Sequence, residues 1–334
     1  MAIAKSIFSS LNANNKQKGK NMCTAIRFNS RYFGRTLDFE RSFGEKMVVT
    51  PRGIMPIMES RNRYAMMGVG VVMNGIPMYF DGVNEWGLAA AALNFPRCAV
   101  YRSDDRSGTG IPSAFLISHI LGLCHSIREA VDMLGKVAIT DRVVEGVSPS
   151  PLHWILADGR ESVVIESVES GIHIYDNPHG VLTNSPELPY HLTRVQDYAS
   201  LGVRNPERDM YSRGMGAVGL PGDFSSSSRF VRAAFLGKNC FGERDTDGVG
   251  DLHRAFSLLN CLSVPIGAVM TDEGKPAFTM YSAVVDMERP AYYLTTATCS
   301  SISHIALTDK LSNGSEILSY PIYREEKFLP LSEK

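Results

Sequence analysis

The sequence predicts a layered α+β protein, with sheets covered by helices, on three observations. Strand-like runs come first, a pair of helices follows, and then strands, two helices and strands come again. Strands and helices do not alternate singly as a doubly wound sheet requires, and the GxGxxG spacing at Gly214 to Gly219 falls in a loop-rich stretch with no strand-like run before it. No run of about 18 apolar residues exists, so no segment reads as a membrane span.

Composition narrows the function. The 334 residues are 44% hydrophobic and 21% charged, values of an ordinary globular chain with ample core. A formal net charge of −1 gives no support to nucleic-acid binding, and the one basic block lies within residues 16–20. Cys23, Cys98, Cys124, Cys240, Cys261 and Cys299 show no CxxC or zinc spacing. Most sit in apolar surroundings as free thiols, which places the protein in a reducing cytoplasm. The histidines form no HxH or HExxH and the acids are dispersed, so neither a metal site nor a paired-carboxylate site stands out.

Residues 1–22 differ from the rest, with four lysines and no acid. Lys5 breaks the apolar stretch a signal peptide needs, and the segment reads as disordered. It is expected to be either a removed propeptide or sequence upstream of a true start at Met22. Residues 23–334 then form one domain.

Residues 23–28 alternate, with Cys23, Ala25 and Arg27 on one face and Thr24, Ile26 and Phe28 on the other. Asn29-Ser30-Arg31 reads as a hairpin turn and Tyr32 to Phe39 as the return strand. Centring the turn on Ser30 sets Cys23 opposite Leu37, flanked by Thr36 and Asp38. Arg35 and Asp38 fall on opposite faces of a regular strand. For both to serve one group the strand must bulge or end between them.

Further strands are expected at 46–51, 65–73 and 86–93, the last ended by Asn94-Phe95-Pro96. Pro112 begins a helix with Leu116, Ile120 and Leu123 on one face. Ser126-Ile127-Arg128-Glu129 is a capping box for a second helix that Gly135 stops. Residues 153–157 and 162–168 form a hairpin around Asp158-Gly159, and 172–176 adds a strand. Gly180 to Pro186 is a short strand ending in a polar turn, and a loop-rich section runs to Asp223. Ser225–Ser228 caps a helix through Asn239, and Leu252 to Leu262 is another. Residues 277–286 and 290–298 make a final hairpin, and the tail beyond 310 packs peripherally.

The chemistry centres on Cys23. As the first residue of a mature chain it would carry a thiol and an α-amine, a nucleophile and a base on one residue. A thiol titrates near ~8.5 and an α-amine near ~7.7–8, so some neutral amine exists at neutral pH. Arg35 nearby would lower the thiol pKa. The alternative is a buried strand cysteine. Asp38 either holds the terminal amine or pairs with Arg35 at the surface. Asn94 and Asn184 each end an apolar run before a Pro-containing turn, and are either turn-formers or donors to an oxyanion. Arg229 lies in the first turn of a helix, where its charge opposes the dipole, and so has a partner elsewhere, such as an active-site carboxylate. The loops near Phe39, Met78, Tyr79 and residues 140–151 are candidates for lining a substrate pocket.

Five stretches recur together and in order. They are Met22-Cys23-Thr24-x-x-Arg27-Phe28, Phe33-Gly34-Arg35-Thr36-Leu37-Asp38, Asn84-Glu85-x-Gly87-Leu88 with Leu93-Asn94-Phe95-Pro96, Val181 to Pro186, and Leu220-Pro221-Gly222-Asp223 with Ser228 to Arg232. Together they resemble the choloylglycine hydrolase family of bile salt hydrolases and penicillin V acylases. The resemblance implies an N-terminal nucleophile hydrolase with an αββα sandwich, two antiparallel sheets between helices. It implies cleavage of a linear amide with no metal or cofactor, a small-molecule amide as partner, and a homotetramer. By motif position Cys23 is the nucleophile and its α-amine the base, with Arg35, Asp38 and Arg229 shaping the charge. The Asn184 side chain and the Asn94 backbone N–H form the oxyanion hole. Asn at 94 tilts the substrate toward glycine- or taurine-conjugated bile acids, with penicillin V or another N-acyl amide as the alternative. A non-catalytic binding protein on the same fold is the competing class. Residues 1–22 and Thr295 to Cys299 depart from the family pattern.

Overall fold

The computed structural model describes residues 22–57, 60–103, 110–144, 147–205, 215–241, 248–326, 328 and 331. The expected extension, apart from Met22, and positions 145–146 of the 140–151 loop lie outside the described residues.

In chain order the strands of the first half are β1 (Met22–Arg27), β2 (Tyr32–Phe39), β3 (Lys46–Thr50), β4 (Met66–Met73), β5 (Ile76–Tyr79), β6 (Asp81–Asn84) and β7 (Ala89–Asn94). The second half adds β8 (Leu152–Ala157), β9 (Ser162–Val168), β10 (Gly171–Asp176), β11 (Val181–Leu182), β12 (Val269–Met270), β13 (Pro276–Asp286), β14 (Ala291–Thr296), β15 (Cys299–Ala306) and β16 (Leu318–Tyr320). The main helices are α1 (Leu116–Leu123), α2 (Ile127–Leu134), α3 (Leu188–Gln196), α4 (Ser226–Cys240) and α5 (Gly248–Leu262).

Among the described residues the first sheet has seven strands, ordered β11-β1-β2-β13-β14-β15 with β12 on β13. The second has nine, ordered β10-β9-β8-β7-β6-β4-β3-β16 with β5 on β4. Their pairings are antiparallel. The two sheets stack between helices, the four-layer αββα arrangement of an N-terminal nucleophile hydrolase.

Strand periodicity decides which layer each side chain joins. In β7 Ala89, Ala91 and Leu93 enter the core between the sheets, while Leu88 and Ala90 face α1 and α2. In β8 Ile155 and Ala157 point inward, and Trp154 and Leu156 outward. Both faces are buried, so these strands read as nearly continuous apolar runs, as for Ala89 to Leu93. On the far side, Phe230, Ala233 and Ala255 to Leu262 of α4 and α5 complete the layer against β1 and β2.

The N-terminal hairpin forms as its sequence dictates. The Asn29 side-chain oxygen accepts from the N–H groups of Arg31 and Tyr32 at 2.8 Å each, fixing the turn. Cys23 pairs with Leu37 and Met22 with Asp38. β2 runs unbroken from Tyr32 to Phe39, and the irregularity lies in its partner β13, between Thr279 and Tyr281. The bulge or end expected between Arg35 and Asp38 is therefore absent, and the two stay on opposite faces of β2.

Other boundaries moved for local reasons. Residues 86–88 form a turn rather than strand, because Gly87 takes φ +80 and a Cβ there would lie 2.0 Å from the Met287 carbonyl oxygen. After Pro112 one 3₁₀ turn precedes α1. Ser126 caps α2 by accepting from Glu129 N–H, but the Glu129 carboxylate reaches back to His125 N–H at 3.0 Å rather than to Ser126. Gly135 ends α2 in a right-handed conformation at φ −66, so no left-handed cap is used. Several elements were not expected, the strands β5, β6 and β12 among them. α3 occupies the supposed loop, with Pro189 in its first turn; β15 adds a third strand after the final hairpin; and β16 ties the tail to β3. Edge strands such as these carry weak alternation, because one side of each has no apolar neighbour.

Candidate active site

Four distant segments meet at the N-terminal end of β1. Cys23 is 1% exposed, and its backbone N–H donates to Asn184 Oδ1 at 2.9 Å. Arg229, wholly buried in the first turn of α4, donates through Nη1 to Cys23 O and to Thr24 Oγ1, the latter at 2.7 Å. Its Nη2 donates to Asn184 Oδ1 at 2.7 Å, and its Nε to Phe224 O at 3.1 Å. The expected carboxylate partner is therefore a set of neutral oxygens, with Asp38 acting on Arg229 electrostatically. Burial lowers the Arg229 pKa, and Asp38 and Cys23 oppose this. Ser225 caps α4 by accepting from Ser228 N–H, which holds the helix start in place.

Asn184 links the two sheets. Its Oδ1 collects the two donors just named, so its Nδ2 is the donor end, and this reaches Asn94 O at 2.8 Å. Asn94 ends β7 in the second sheet, and Asn184 follows β11 in the first. The Asn184 backbone is pinned in turn. Ser226 Oγ donates to Asn184 O at 2.8 Å and accepts from Asn184 N–H at 2.9 Å. His191 Nε2 sits 2.9 Å from the same carbonyl, and burial pushes its pKa down to about 4, so the ring is neutral and Nε2–H donates. Beneath the loop His153 stacks on Phe95 at 4.2 Å, with Nδ1 3.0 Å from Glu166 and Nε2 3.1 Å from Thr183 O.

Arg35 and Asp38 are both buried and do not pair with each other. This corrects the surface-pair alternative. Arg35 shares the Cys23 face of the hairpin and crosses to the second sheet, donating through Nη1 to Asp81 at 3.1 Å and to Phe80 O at 3.2 Å. Its Nη2 is buried without a hydrogen-bond partner among the described residues. Burial opposes the Arg35 charge, but Tyr281, Cys23 and Asp81 outweigh it, and its pKa is raised. Asp38 lies on the opposite face, taking hydrogen bonds from Thr279 Oγ1 at 2.6 Å and Thr36 Oγ1 at 3.2 Å. Both nonetheless act on the thiol. Burial raises the Cys23 pKa, Arg35 lowers it, Asp38 raises it by charge, and the Asp38 backbone N–H lowers it.

Burial raises the Asp38 carboxyl to about 6, against the hydroxyl donors and the two arginines. Because the folded value lies above the usual carboxylate value, protonation favours the folded chain. That stabilisation is whole below about pH 4 and is lost as pH rises through 6, a change on the order of 3 kcal/mol. For a chain still carrying Met22, the thermal midpoint relative to Asp38→Asn falls between pH 4 and 7. A gap that widens in favour of the native chain over that range would contradict this.

The pocket candidates separate. Tyr79 belongs to the outer core and bonds Thr50, away from Cys23. Phe39 instead packs edge-on against Phe43 at 4.7 Å, and Phe43 against Phe80 at 5.6 Å, beside the Arg35 contact at Phe80 O. The residues that sequence reasoning missed are Asp81, His153, Glu166, His191, Ser226 and Thr279. Asp81 and His153 carried one signal, a polar residue at an inward position of an apolar strand.

No helix among the described residues is long and apolar enough to cross a membrane, and these residues hold no His/Cys/Asp/Glu cluster fit for a metal ion. A bile salt hydrolase/transferase of Lactiplantibacillus plantarum is 37% identical over 322 residues, spanning 92% of this chain and 99% of its own. That of Clostridium perfringens is 32% identical over 319 residues, spanning 90% and 96%. The structure of a cysteine-to-alanine variant of conjugated bile acid hydrolase from Clostridium perfringens matches with TM-score 0.85 at 29% identity, covering 93% of this chain and 100% of that one. Penicillin V acylase from Agrobacterium tumefaciens shares the fold, with TM-score 0.71 at 24% identity over 89% and 90% of the two chains. The family of linear amide C–N hydrolases, choloylglycine hydrolase type, matches residues 23–320, starting at Cys23 itself. The chain belongs to the choloylglycine hydrolase family and is a hydrolase of linear amide C–N bonds.

Proposed function

We propose that the chain matures with Cys23 as its first residue and deconjugates glycine- or taurine-linked bile acids. The observation that carries the reading is the bond from Cys23 N to Asn184 Oδ1, held in a site whose Arg229 also grips Cys23 O. Once Met22 is absent that nitrogen is an α-amine beside its own thiol, already oriented by Asn184. The amine takes the thiol proton, and Sγ attacks the amide carbonyl carbon. The oxyanion is met by the second Nδ2 hydrogen of Asn184, whose first is held by Asn94 O, and by the Asn94 backbone N–H. The C–N bond breaks, the leaving amine takes the proton from the Cys23 ammonium, and a thioester remains. Water, deprotonated by the same amine, hydrolyses it. Asp38 and Arg229 set the charge around the amine, and Arg35 supports the thiolate.

Bile acids fit on two grounds. Relatives named bile salt hydrolase/transferase are 32–37% identical across nearly the whole chain. The Phe39, Phe43 and Phe80 rings offer an apolar wall to a steroid-like acyl group. The protein is read as a cytoplasmic homotetramer, as the family resemblance implies.

Two measurements test this. Intact mass and N-terminal sequencing of the active protein should show Cys23 first, and an active chain that retains residues 1–22 would overturn the mechanism. Taurine or glycine release from conjugated bile salts should exceed phenoxyacetate release from penicillin V by at least tenfold. The reverse ratio would assign the acyl pocket to penicillin V.

A further inference from the structure

Asp81 is buried at the start of β6, in the sheet opposite Cys23, and three donors converge on it. Tyr281 from β13 and Arg35 Nη1 from β2, the latter at 3.1 Å, share Oδ2, while Tyr292 from β14 takes Oδ1. The Arg35 guanidinium also lies over the Tyr281 ring, 5.7 Å from its centroid. Close backbone approach makes the placement possible: a Cβ on Gly68 of β4 would lie 2.0 Å from the Asp81 carbonyl oxygen. None of these groups touches Cys23 by hydrogen bond, and Arg35 spends Nη1 on Asp81 and Phe80 while Nη2 stays buried without a partner. A buried amino group left unpaired in an otherwise saturated cluster is costly unless it serves a charge that the cycle creates.

We propose that Asp81, fixed by Tyr281 and Tyr292, is a positioning residue that clamps Arg35 by Nη1 so that Nη2 is presented to the Cys23 thiolate. The inference rests on Cys23 being the nucleophile. The carboxylate is oriented by two phenols, the guanidinium is held by the carboxylate and the Phe80 carbonyl, and its charge acts on the Cys23 thiol, which shares its face of the hairpin. Burial and the neighbouring Asp81 keep both phenols protonated, so they remain donors across the working range. The other charged or titratable groups around this cluster are Asp38 and Arg229, which act on Cys23, and Glu45, which acts on Tyr281.

The test is the pH profile of Cys23 alkylation by iodoacetamide, followed by peptide mass, beside the pH profile of amide hydrolysis. Asp81→Asn should shift the alkylation profile to higher pH by about half to one unit and lower kcat/KM about 10- to 100-fold near neutrality, with partial recovery at alkaline pH. KM should change less than kcat. A profile that superposes on the native one, or moves to lower pH, overturns the clamp even where the thermal midpoint falls. If Asp81→Asn does not fold, the Tyr281→Phe/Tyr292→Phe double variant keeps the carboxylate but frees it, and should show the same shift with smaller size. Superposition there overturns the proposal equally. Cys23→Ala separates the layers: an active Cys23→Ala removes the nucleophile reading itself, whereas an inactive one with an unmoved Asp81→Asn profile removes the clamp alone.

Discussion

Cys23→Ala abolishes amide hydrolysis, a loss of about 10⁴-fold or more, while circular dichroism stays that of the native fold. The loss follows because Cys23 carries the thiol at the meeting point of Asn184, Arg229 and Arg35, while the nearby Thr24 and Ser226 hydroxyls are held by Arg229 and by the Asn184 backbone. The structural cost is small, because the Cys23 backbone, which carries the bonds to Asn184 and Arg229, is untouched. Cys23→Ser also loses nearly all activity despite its similar shape. A few per cent of an ordinary thiol is thiolate at neutral pH, whereas a hydroxyl has essentially no anion to offer. Burial makes ionisation harder still, and the nearby guanidiniums that offset this for sulfur cannot bridge the larger gap for oxygen. Rates for both variants against conjugated bile salts decide the matter. Native turnover by Cys23→Ser would rule out thiolate attack.

The second large effect is expected at Arg229. Arg229→Leu strips the donors from Cys23 O, Thr24 Oγ1, Asn184 Oδ1 and Phe224 O, and it removes the cation nearest Asp38. Breaking a buried charge cluster by removing one member costs about 3–5 kcal/mol. Urea unfolding should register a loss of that order, and kcat/KM should fall at least 100-fold, since the Asn184 amide loses one of the two donors that fix its direction. Arg229→Lys restores the charge but not the fork that reaches three oxygens, so it should recover much of the stability and little of the rate. If Arg229→Leu unfolds within 1 kcal/mol of the native chain, these bonds do not hold the site together.

How far the sequence revealed this site depends on the range of each contact. Cys23 opposite Leu37 was legible because an Asx turn and strand parity set the register of a short hairpin without outside help. The sharing of one thiol by Arg35 and Asp38 was not, because the sequence suggested a break in β2. The irregularity sits instead in β13, some 240 residues away, whose pairing no local pattern announces. Arg229 was flagged by its poor fit to a helix start, but its partners are backbone and neutral oxygens. Such groups leave no mark in composition. Asp81 was missed for a related reason: it meets its partners across the two stacked sheets, and a single polar residue in an apolar strand has many structural explanations. Glu166 was missed although it faces His153 within the expected β8–β9 hairpin. α3 lay within the section read as loop, although Pro189 suits the first helical turn.

The order of strands in the first sheet bears on how the protein is made. β2 lies between β1, its immediate neighbour in sequence, and β13, and the Thr279 hydroxyl that holds Asp38 belongs to this last partner. On a ribosome extending the chain at ~5–20 residues per second, the hairpin bearing the thiol emerges first and waits at least ten seconds for the strand that closes its open edge. Arg229, Asp81 and Asn184 likewise arrive later than Cys23. The nascent thiol is therefore an ordinary cysteine early in synthesis, and it gains its reactive surroundings only after β13 has been made and the sheet closes. Long-range closure of this kind slows folding, and in return the reactive group is assembled only once the strand that flanks β2 on its far side is in place.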